Sequence, residues 1–260
     1  MTRVLTLDSG LGGLSVLREI TQLMPALDCD YIADRAAFPY GDWEEGALVA
    51  HLVALVSGEV ERHAPDAIVI GCNTASTLIL GPLRAALDIP IVGTVPAIKP
   101  AAKDTQSGLV SVLATPGTVK RDYTHELIAD HAPNAQVTLV GAPNLAAMAE
   151  AMLAGDALDQ DKLRAEITPC FQTHDGKRTD VVVLGCTHYP FLRELFEMHA
   201  PWPVQWLDPA PAIARRLKNV LADLGGSGGI GGIGGTGQIT LRSTVPGESI
   251  GAIARQALQL

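Results

Sequence analysis

A short pattern occurs twice in the chain and constrains its fold more than any other feature. Residues 66–74 (DAIVIGCNT) and 180–188 (DVVVLGCTH) each begin with an acid, continue with apolar residues, and end in glycine, cysteine and polar residues. An apolar run between turn signals is typical of a strand buried on both faces of a parallel sheet. Cys72 and Cys186 then follow strand carboxyl ends, where open α/β sheets bind ligands. The repeat predicts two duplicated halves and a proton-transfer site with two opposed thiols.

Composition excludes several classes of protein. The sequence has 260 residues, is 47% hydrophobic and carries a formal net charge of -9. A nucleic-acid-binding protein should present a basic face, so we expect no nucleic-acid partner. No apolar stretch approaches the roughly 18 residues that indicate a membrane span, and the short strand after Arg3 does not resemble a signal peptide. We therefore predict a soluble cytoplasmic enzyme without a membrane partner.

The chain has four cysteines, Cys29, Cys72, Cys170 and Cys186. In a reducing compartment we expect them to be buried, catalytic or metal-binding rather than disulfide-bonded. Metal is the less favoured role, because the sequence has no Cys-x-x-Cys and no histidine pair at ligand spacing. Cys29 and Cys170 lack the sequence context that Cys72 and Cys186 share, so we assign them structural roles. The candidate reactive thiols are Cys72 and Cys186.

Strands and helices alternate along the sequence, which is typical of βαβ units. The predicted strands are residues 4–7, 30–34, 67–70, 89–92, 109–113, 136–140, 181–184, 204–207 and 238–242. Helices are predicted from the turn at 10–13 to about 24, over 44–63, up to 87, and over 118–130, 145–166, 191–199, 210–223 and 249–258. The glycine-rich residues 225–237 predict a flexible surface loop. The elements after it are too short to fold alone and should join an existing sheet.

Polar residues collect at the predicted strand ends. Hydroxyls, amides and helix N-termini that converge there would bind an anion such as a carboxylate. The candidates are Asp8, Ser9, Asn73, Thr74, Thr115, Thr118, Thr187 and His188. A serine or threonine that opens a helix usually serves only as its cap. The other histidines, His51 and His63 among them, are expected at the surface or paired within the core.

Two other functions compete for these motifs. Residues 10–15 (GLGGLS) follow a strand and open a helix, and the acids Asp30 and Asp34 come about 20 residues later, which nearly matches the dinucleotide-binding fingerprint. Ser15 stands where the third glycine or alanine belongs, and that function leaves both cysteine motifs unexplained. A cysteine hydrolase that uses Cys186 and His188 is the second alternative, and it leaves Cys72 without a role.

Four segments resemble the signature segments of the glutamate racemases, in the aspartate/glutamate racemase superfamily. They are residues 8–16 (DSGLGGLSV), 39–41 (PYG), 71–75 (GCNTA) and 185–190 (GCTHYP), in the family's order. The resemblance implies an α/β fold of two flavodoxin-like parallel-sheet domains related by pseudo-twofold symmetry, with the active site in the cleft between them. We place the domain crossing where Pro96 and Pro100 interrupt the pattern. Residues 1–97 and 208–260 would form the first domain, completed by the C-terminal segment, and residues 98–207 the second.

The resemblance also implies a cofactor-independent enzyme that makes D-glutamate for peptidoglycan, commonly as a homodimer. Racemisation removes the α-proton on one face and returns a proton on the other, which accounts for two thiols. A free thiol with a pKa near ~8.5 needs a polar assistant to ionise at neutral pH. Asp8 fits this role for Cys72 and His188 for Cys186, and Glu150 matches a family acid near the site.

The substrate contacts that the resemblance implies include the turn of Pro39, Tyr40 and Gly41. Fixed donors at the substrate carboxylate would lower the barrier, because the developing carbanion is delocalised onto it. Three features depart from the family pattern, and none touches the cysteine motifs: Arg121 in place of a more usual serine, residues 36–38 (AAF) and the glycine-rich insert. A racemase of aspartate or another amino acid, and a non-catalytic ligand-binding protein on this fold, stay open as alternatives.

Overall fold

The computed structural model describes residues 2–225 and 237–258. The predicted glycine-rich loop, residues 225–237, lies almost entirely outside the described residues. The strands are β1 (Arg3–Asp8), β2 (Asp28–Ala33), β3 (Ala67–Ile70), β4 (Ile91–Gly93), β5 (Leu109–Ala114), β6 (Gln136–Gly141), β7 (Thr173–His174), β8 (Lys177–Arg178), β9 (Val181–Gly185), β10 (Gln205–Leu207) and β11 (Ile239–Ser243).

Helices cover most of the segments between these strands. They are α1 (Leu14–Leu23), α2 (Glu45–His63), α3 (Asn73–Ala86), α4 (Ile98–Asp104), α5 (Pro116–Val119), α6 (Asp122–His131), α7 (Leu145–Leu153), α8 (Gln160–Ile167), α9 (Arg193–His199), α10 (Ala210–Gly225) and α11 (Gly251–Leu258). Single 3-10 turns lie at Arg35–Ala37, Tyr40–Asp42, Thr168–Cys170 and Tyr189–Leu192. No helix in the described ranges is long and apolar enough to cross a membrane.

The chain divides into two compact units, Met1–Thr94 with Ala210–Leu260, and Val95–Pro209. The first unit contains a sheet of order β11-β2-β1-β3-β4, and every pair in it is parallel. The second contains a parallel sheet of order β10-β9-β5-β6 and a separate β7-β8 hairpin. Numbered within its own unit, each sheet has the order 2-1-3-4, and β11 adds one strand to the first. The predicted fold class, α/β with two parallel-sheet domains, is confirmed.

Both faces of each repeated strand are covered, as its unbroken apolar run predicts. All four residues of β3 are fully buried. In β9, Val182 and Leu184 pack into one apolar cluster with α7, α8 and α9. Val181 and Val183 point to the opposite face and pack into a second cluster with α4 and α6. An apolar side chain is therefore needed at every position of the strand.

The acids that open the two repeats have matching structural roles. Asp66 accepts a hydrogen bond from the backbone N–H of Arg3, with 2.8 Å between nitrogen and Oδ2. Asp180 accepts from the backbone N–H groups of Gln106 and Ser107 at 2.7 and 2.8 Å. Each acid thus binds the segment that leads into the neighbouring strand. Burial raises the pKa of Asp180, but the hydrogen bonds outweigh it and hold this pKa below its usual value.

Most predicted elements are present, with shifted boundaries. The strand predicted at 30–34 begins two residues earlier, at Asp28. The single helix predicted over 118–130 is two helices, α5 and α6, because the chain is extended at Arg121. Helix α4 and the β7-β8 hairpin are absent from the prediction. Pro96 and Pro100 indicate a break, but Pro100 lies in the first turn of α4, where a missing N–H costs no helical hydrogen bond. The expectation that the C-terminal strand joins an existing sheet is confirmed, since β11 pairs with β2.

Candidate active site

In the first unit, the two central strands bring Asp8 and Cys72 to one edge of the sheet. Strands β1 and β3 are neighbours, with Leu7 opposite Ile70, and this is the point where strand order reverses in a doubly wound sheet. Asp8 ends β1 and is fully buried, and Cys72 follows β3 at 7% exposure. A Cβ on Gly71 would lie 3.5 Å from Asp8 Oδ2, so the carboxylate lies against the residue before the thiol.

The glycine turn after β1 is built around Asp8. The Asp8 carboxylate accepts a hydrogen bond from the Gly10 N–H at 2.9 Å, and the Tyr31 hydroxyl donates to the Gly10 carbonyl at 2.6 Å. A Cβ on Gly13 would lie 2.6 Å from Asp8 Cβ and 2.9 Å from the Tyr31 oxygen, so only glycine fits there. In a dinucleotide site the backbone N–H groups of this turn, such as that of Gly10, would face a pyrophosphate. Here a carboxylate of the chain already occupies this turn.

Asn73 begins α3, directly after Cys72, and its side-chain amide is buried. The residue is 2% exposed, and neither Nδ2 nor Oδ1 forms a hydrogen bond within the described residues. A buried polar group without a partner costs about 1–3 kcal/mol. Such a cost is typical of a site that pairs the group with a ligand. Ser9 and Thr74, two other predicted contacts, are buried at the same edge of the sheet.

The predicted Pro39, Tyr40 and Gly41 turn follows β2, on the same side of this sheet. Tyr40 is buried, and its hydroxyl donates to Asp34 Oδ2 at 2.8 Å. Burial raises the pKa of Tyr40 well above its ordinary value, and the charges of Asp34 and Cys72 raise it further. The hydroxyl therefore stays protonated, within electrostatic reach of the thiol. Pro39 and Gly41 are exposed.

In the second unit, β5 and β9 form the equivalent pair of central strands, with Ala114 opposite Gly185. A Cβ on Gly185 would lie 2.9 Å from Ala114 Cβ, so the strands approach too closely for a larger residue. Thr115 caps α5 and accepts from the Thr118 N–H at 3.3 Å. Its hydroxyl also lies 3.0 Å from the Thr118 hydroxyl. Both threonines are therefore at the predicted edge, and each is bonded within the helix cap.

Cys186 follows β9 and begins a chain of side-chain contacts. Its Sγ lies 3.6 Å from His188 Nδ1, and His188 Nε2 lies 2.8 Å from Glu150 Oε1 on α7. A carboxylate only accepts hydrogen bonds, so Nε2 carries the hydrogen and Nδ1 faces the thiol. Cys186 is 6% exposed and His188 is 2% exposed. A thiol, a base and an orienting acid can produce a thiolate for a hydrolase or for proton transfer. Thr187 is buried beside them.

The other two cysteines lie away from the strand carboxyl ends and favour the thiol form. Burial, with the charges of Asp28 and Asp30, raises the pKa of Cys29 from 9.0 to about 12. Burial also raises the pKa of Cys170. All four cysteines are free thiols. Across the described part of the chain, no three His, Cys, Asp or Glu side chains are grouped so that they could hold a metal ion.

Sequence reasoning missed the role of Asp34 beside the site. This carboxylate is 1% exposed and accepts hydrogen bonds from Tyr40 and Thr244. His51 Nε2 lies 2.7 Å from the same carboxylate. Asp34 is the first residue after β2, and Cys72 is the second residue after β3, so both lie just past the end of a strand. That position was a signal for it, but we considered Asp34 only for the dinucleotide fingerprint.

Comparison with known proteins identifies the family of the chain. A model of the Asp/Glu/hydantoin racemase family matches residues 15–217. The chain belongs to this family. The glutamate racemase of Sinorhizobium medicae (strain WSM419) is 58% identical to it over 219 residues, which are 84% of this chain and 81% of that protein. The resemblance drawn from the four sequence segments is confirmed. Racemases are isomerases, so the present protein is an isomerase.

Solved structures resemble the racemase over almost its whole length. Escherichia coli glutamate racemase, in complex with L-glutamate and the activator UDP-MurNAc-Ala, has a TM-score of 0.83 and 40% identity, over 99% of this chain and 94% of that one. Glutamate racemase isoform RacE1 of Bacillus anthracis has a TM-score of 0.82 and 26% identity, over 100% of this chain and 94% of that one. The racemase therefore shares its fold with known glutamate racemases.

Proposed function

We propose that this racemase interconverts L- and D-glutamate by a cofactor-independent mechanism in which Cys72 and Cys186 are the two bases. The observation that carries the proposal is the equivalence of the two units. Each places one cysteine after the third strand of its own 2-1-3-4 sheet, at the point where strand order reverses. Two thiols are what a racemase needs to remove a proton from one face and return one to the other.

The proposed reaction has two steps. One cysteine, as thiolate, takes the α-proton; it becomes a thiol, and the electron pair of the C–H bond remains on the α-carbon. The other cysteine, as thiol, then donates its proton to the opposite face and becomes the thiolate. The reverse reaction exchanges their roles, so the proposal requires the two thiols to reach opposite faces of one α-carbon.

Different groups assist the two thiols in this proposal. Cys186 loses its proton to His188 Nδ1, and the Glu150 carboxylate stabilises the imidazolium that forms. Asp8 is the proposed assistant of Cys72, since its carboxylate lies against Gly71, the residue before the thiol. In this proposal a carboxylate therefore assists Cys72 directly and assists Cys186 through an imidazole.

Donors on the chain stabilise the carbanion in this mechanism. Its charge spreads onto the substrate carboxylate, where hydrogen-bond donors fixed in advance lower the barrier. Asn73 is the strongest candidate, because neither polar atom of its buried amide forms a hydrogen bond with any residue that the structure describes. The other proposed contacts are the backbone of Tyr40 and Gly41, the side chains of Ser9, Thr74, Thr115, Thr118 and Thr187, and Pro39.

Glutamate is the proposed substrate because the similar racemases carry that name. One methylene in a pocket changes binding by only about 1–3 kcal/mol, so aspartate is the alternative to test. We further propose that the product is the D-glutamate of peptidoglycan, that the enzyme is cytoplasmic, and that it forms a homodimer. The domain division at 97/98 and 207/208 also stays a proposal.

One assay tests the reaction and the substrate together. The protein is incubated in D₂O with L-glutamate, L-aspartate or other L-amino acids, and optical rotation and α-deuterium are followed. Glutamate should racemise, with deuterium entering the product enantiomer first, because a second base delivers a solvent-derived proton. Faster turnover of aspartate would reassign the substrate. An absence of exchange with every amino acid would instead favour a non-catalytic ligand-binding protein.

Cofactor independence has its own test. Protein dialysed against EDTA should retain its activity, and its absorption spectrum should lack the visible band of a pyridoxal aldimine. The reason is that the sequence has no metal-spaced cluster, no P-loop and no complete dinucleotide fingerprint. Activity lost on dialysis and recovered with added metal would contradict this part of the proposal.

A further inference from the structure

Asp34 connects three elements of the first unit beside the Tyr40 turn. The residue is 1% exposed. Its Oδ2 accepts from the Tyr40 hydroxyl at 2.8 Å and lies 2.7 Å from His51 Nε2 on α2. Its Oδ1 accepts from the Thr244 hydroxyl, directly after β11, at 2.8 Å. Three hydrogen-bonding partners from three elements fix the orientation of one buried carboxylate.

The orientation of Asp34 sets the position of Tyr40. The buried Tyr40 ring begins the 3-10 turn Tyr40–Asp42, and its hydroxyl bonds to Asp34. The charges of both Asp34 and Cys72 act on this hydroxyl and raise its pKa. A movement of Asp34 would therefore displace the turn and change the electrostatic surroundings of the Cys72 thiol.

His51 joins helix α2 to this turn on two sides. Its Nε2 bonds to Asp34, and its ring stacks on Trp43 with 5.1 Å between centroids and 28° between planes. The Trp43 indole N–H in turn donates to the Ala37 carbonyl at 2.9 Å, just before the turn. The imidazole thus contacts both the carboxylate that holds Tyr40 and an aromatic ring anchored to the preceding segment.

We propose that His51 is a positioning residue of the active site, which acts through Asp34 on Tyr40 and thereby on the Cys72 side of the reaction. This inference rests on the proposed racemisation. His51 does not contact the substrate in it. The residue fixes the turn that holds the substrate carboxylate, so its loss lowers the preorganisation of donors and slows turnover.

The chain offers a matched control on the same helix. His63 also has charged partners: its Nε2 accepts a hydrogen bond from Arg242 Nη1 at 2.9 Å and lies 3.5 Å from the buried Glu59 Oε2. The two histidine side chains have similar exposure, 33% for His51 and 28% for His63. His63 lies at the other end of α2 and is remote in sequence from the Tyr40 turn. The general cost of losing a part-buried histidine on α2 and its hydrogen bond to a charged group should therefore appear in both variants.

The experiment compares His51→Leu, His51→Gln, Thr244→Val and His63→Leu with the wild type. We expect kcat for glutamate to fall about tenfold in His51→Leu, because a hydrogen bond to a charged group is lost, while KM changes much less. Thr244→Val, nearly isosteric, should lower kcat in the same direction. Glutamine places an N–H near the position of Nε2, so His51→Gln should recover most of the activity. His63→Leu should keep the wild-type kcat.

A second measurement does not depend on racemase activity. The rates at which iodoacetamide alkylates Cys72 and Cys186 are measured separately by mass spectrometry at one pH. Asp34 and Cys72 both act on the Tyr40 hydroxyl, so a loss of the donor at Asp34 leaves more negative charge uncompensated there and disfavours the Cys72 thiolate. His51→Leu should therefore slow alkylation of Cys72 about threefold or more and leave Cys186 unchanged.

The outcomes separate this inference from the proposed function. A wild type that does not racemise glutamate overturns the proposed function, and the alkylation rates then still test the connection from His51 to Cys72. Unchanged kcat and unchanged Cys72 alkylation in His51→Leu would overturn the inference. It would equally fail if His51→Gln were as impaired as His51→Leu, or if His63→Leu lost the same activity.

Discussion

His188 and Glu150 form a short hydrogen bond, with 2.8 Å between Nε2 and Oε1, at the edge of the second sheet. The bond fixes the tautomer of the imidazole and leaves Nδ1 facing Cys186 at 3.6 Å. Both partners are nearly buried, with side-chain exposures of 2% and 11%. The geometry therefore places next to this thiol an imidazole whose orientation is set by an acid on α7, 38 residues earlier in the chain.

Replacement of Glu150 by glutamine should lower the reactivity of the Cys186 thiol and leave that of Cys72 unchanged. We expect kcat to fall about tenfold or more, since a hydrogen bond to a charged group contributes about 1.5–3 kcal/mol. Because the two enantiomers have equal free energy, kcat/KM must fall equally in both directions. Iodoacetamide should alkylate Cys186 more slowly and Cys72 at the wild-type rate. Glu166→Gln is the control, because Glu166 binds the Asn144 backbone at the start of α7. Equal losses of activity in both variants would contradict the role of Glu150 in orienting His188.

Removal of either reactive thiol should abolish racemisation in both directions. Cys72→Ala and Cys186→Ala each lack one of the two proposed bases, and in the proposed mechanism the remaining thiol serves only one face of the α-carbon. Both variants should still bind glutamate in isothermal calorimetry, because binding depends on the polar groups. Cys170→Ala, at a fully buried cysteine away from the strand ends, should keep its activity at some cost in stability. Substantial turnover by Cys72→Ala or Cys186→Ala would disprove the two-thiol mechanism.

The raised pKa of Cys29 should make stability fall in alkaline solution. Between 9.0 and about 12 the unfolded chain loses this proton and the folded chain keeps it. The unfolded state then binds fewer protons, so the free energy of unfolding decreases as pH rises above 9.0. Cys29→Ala should reduce that slope by up to about 1.4 kcal/mol per pH unit.

Urea unfolding at several pH values checks this prediction. The slope is compared rather than the absolute stability, because the alanine also removes buried surface. Ile32→Val on the same strand is the control: it opens a small cavity at a buried site without removing a titratable group. An unchanged slope in Cys29→Ala, or an equally reduced slope in Ile32→Val, would contradict the assignment.

An alanine at Gly13 should disturb the site through Asp8. Its Cβ would lie 2.6 Å from Asp8 Cβ and 2.9 Å from the Tyr31 oxygen, so the carboxylate or the turn must move. We expect a loss of about 1–3 kcal/mol in unfolding free energy and a lower kcat. Gly58→Ala is the matched control: it lies inside α2, and its Cβ would meet only the end of the flexible Arg62 side chain, at 3.0 Å. That variant should gain about 0.5–1 kcal/mol; a similar gain at Gly13 would show that the close approach is absent.

The duplicated motif shows how much of the structure can be predicted from local sequence. An apolar residue at every position of β3 and β9 predicts strands covered on both faces, and a glycine then places each cysteine past the strand end. The same pattern did not show that the acid at its start and the cysteine near its end have different roles. The acids Asp66 and Asp180 bind backbone N–H groups of a neighbouring segment, while the cysteines lie where ligands bind.

By itself the sequence determined the fold class, the central strands, and the position of Cys72, Asn73, Cys186 and His188 at strand ends. Hydrophobic periodicity and turn residues are local, and they suffice for that. Only the tertiary structure showed that Glu150 orients His188 and that Asp34 binds Tyr40, His51 and Thr244. Those contacts join elements that are separate in sequence, up to 210 residues apart for Asp34 and Thr244. Side-chain partners of this kind are set by how helices and strands pack together, and no spacing within the chain encodes them.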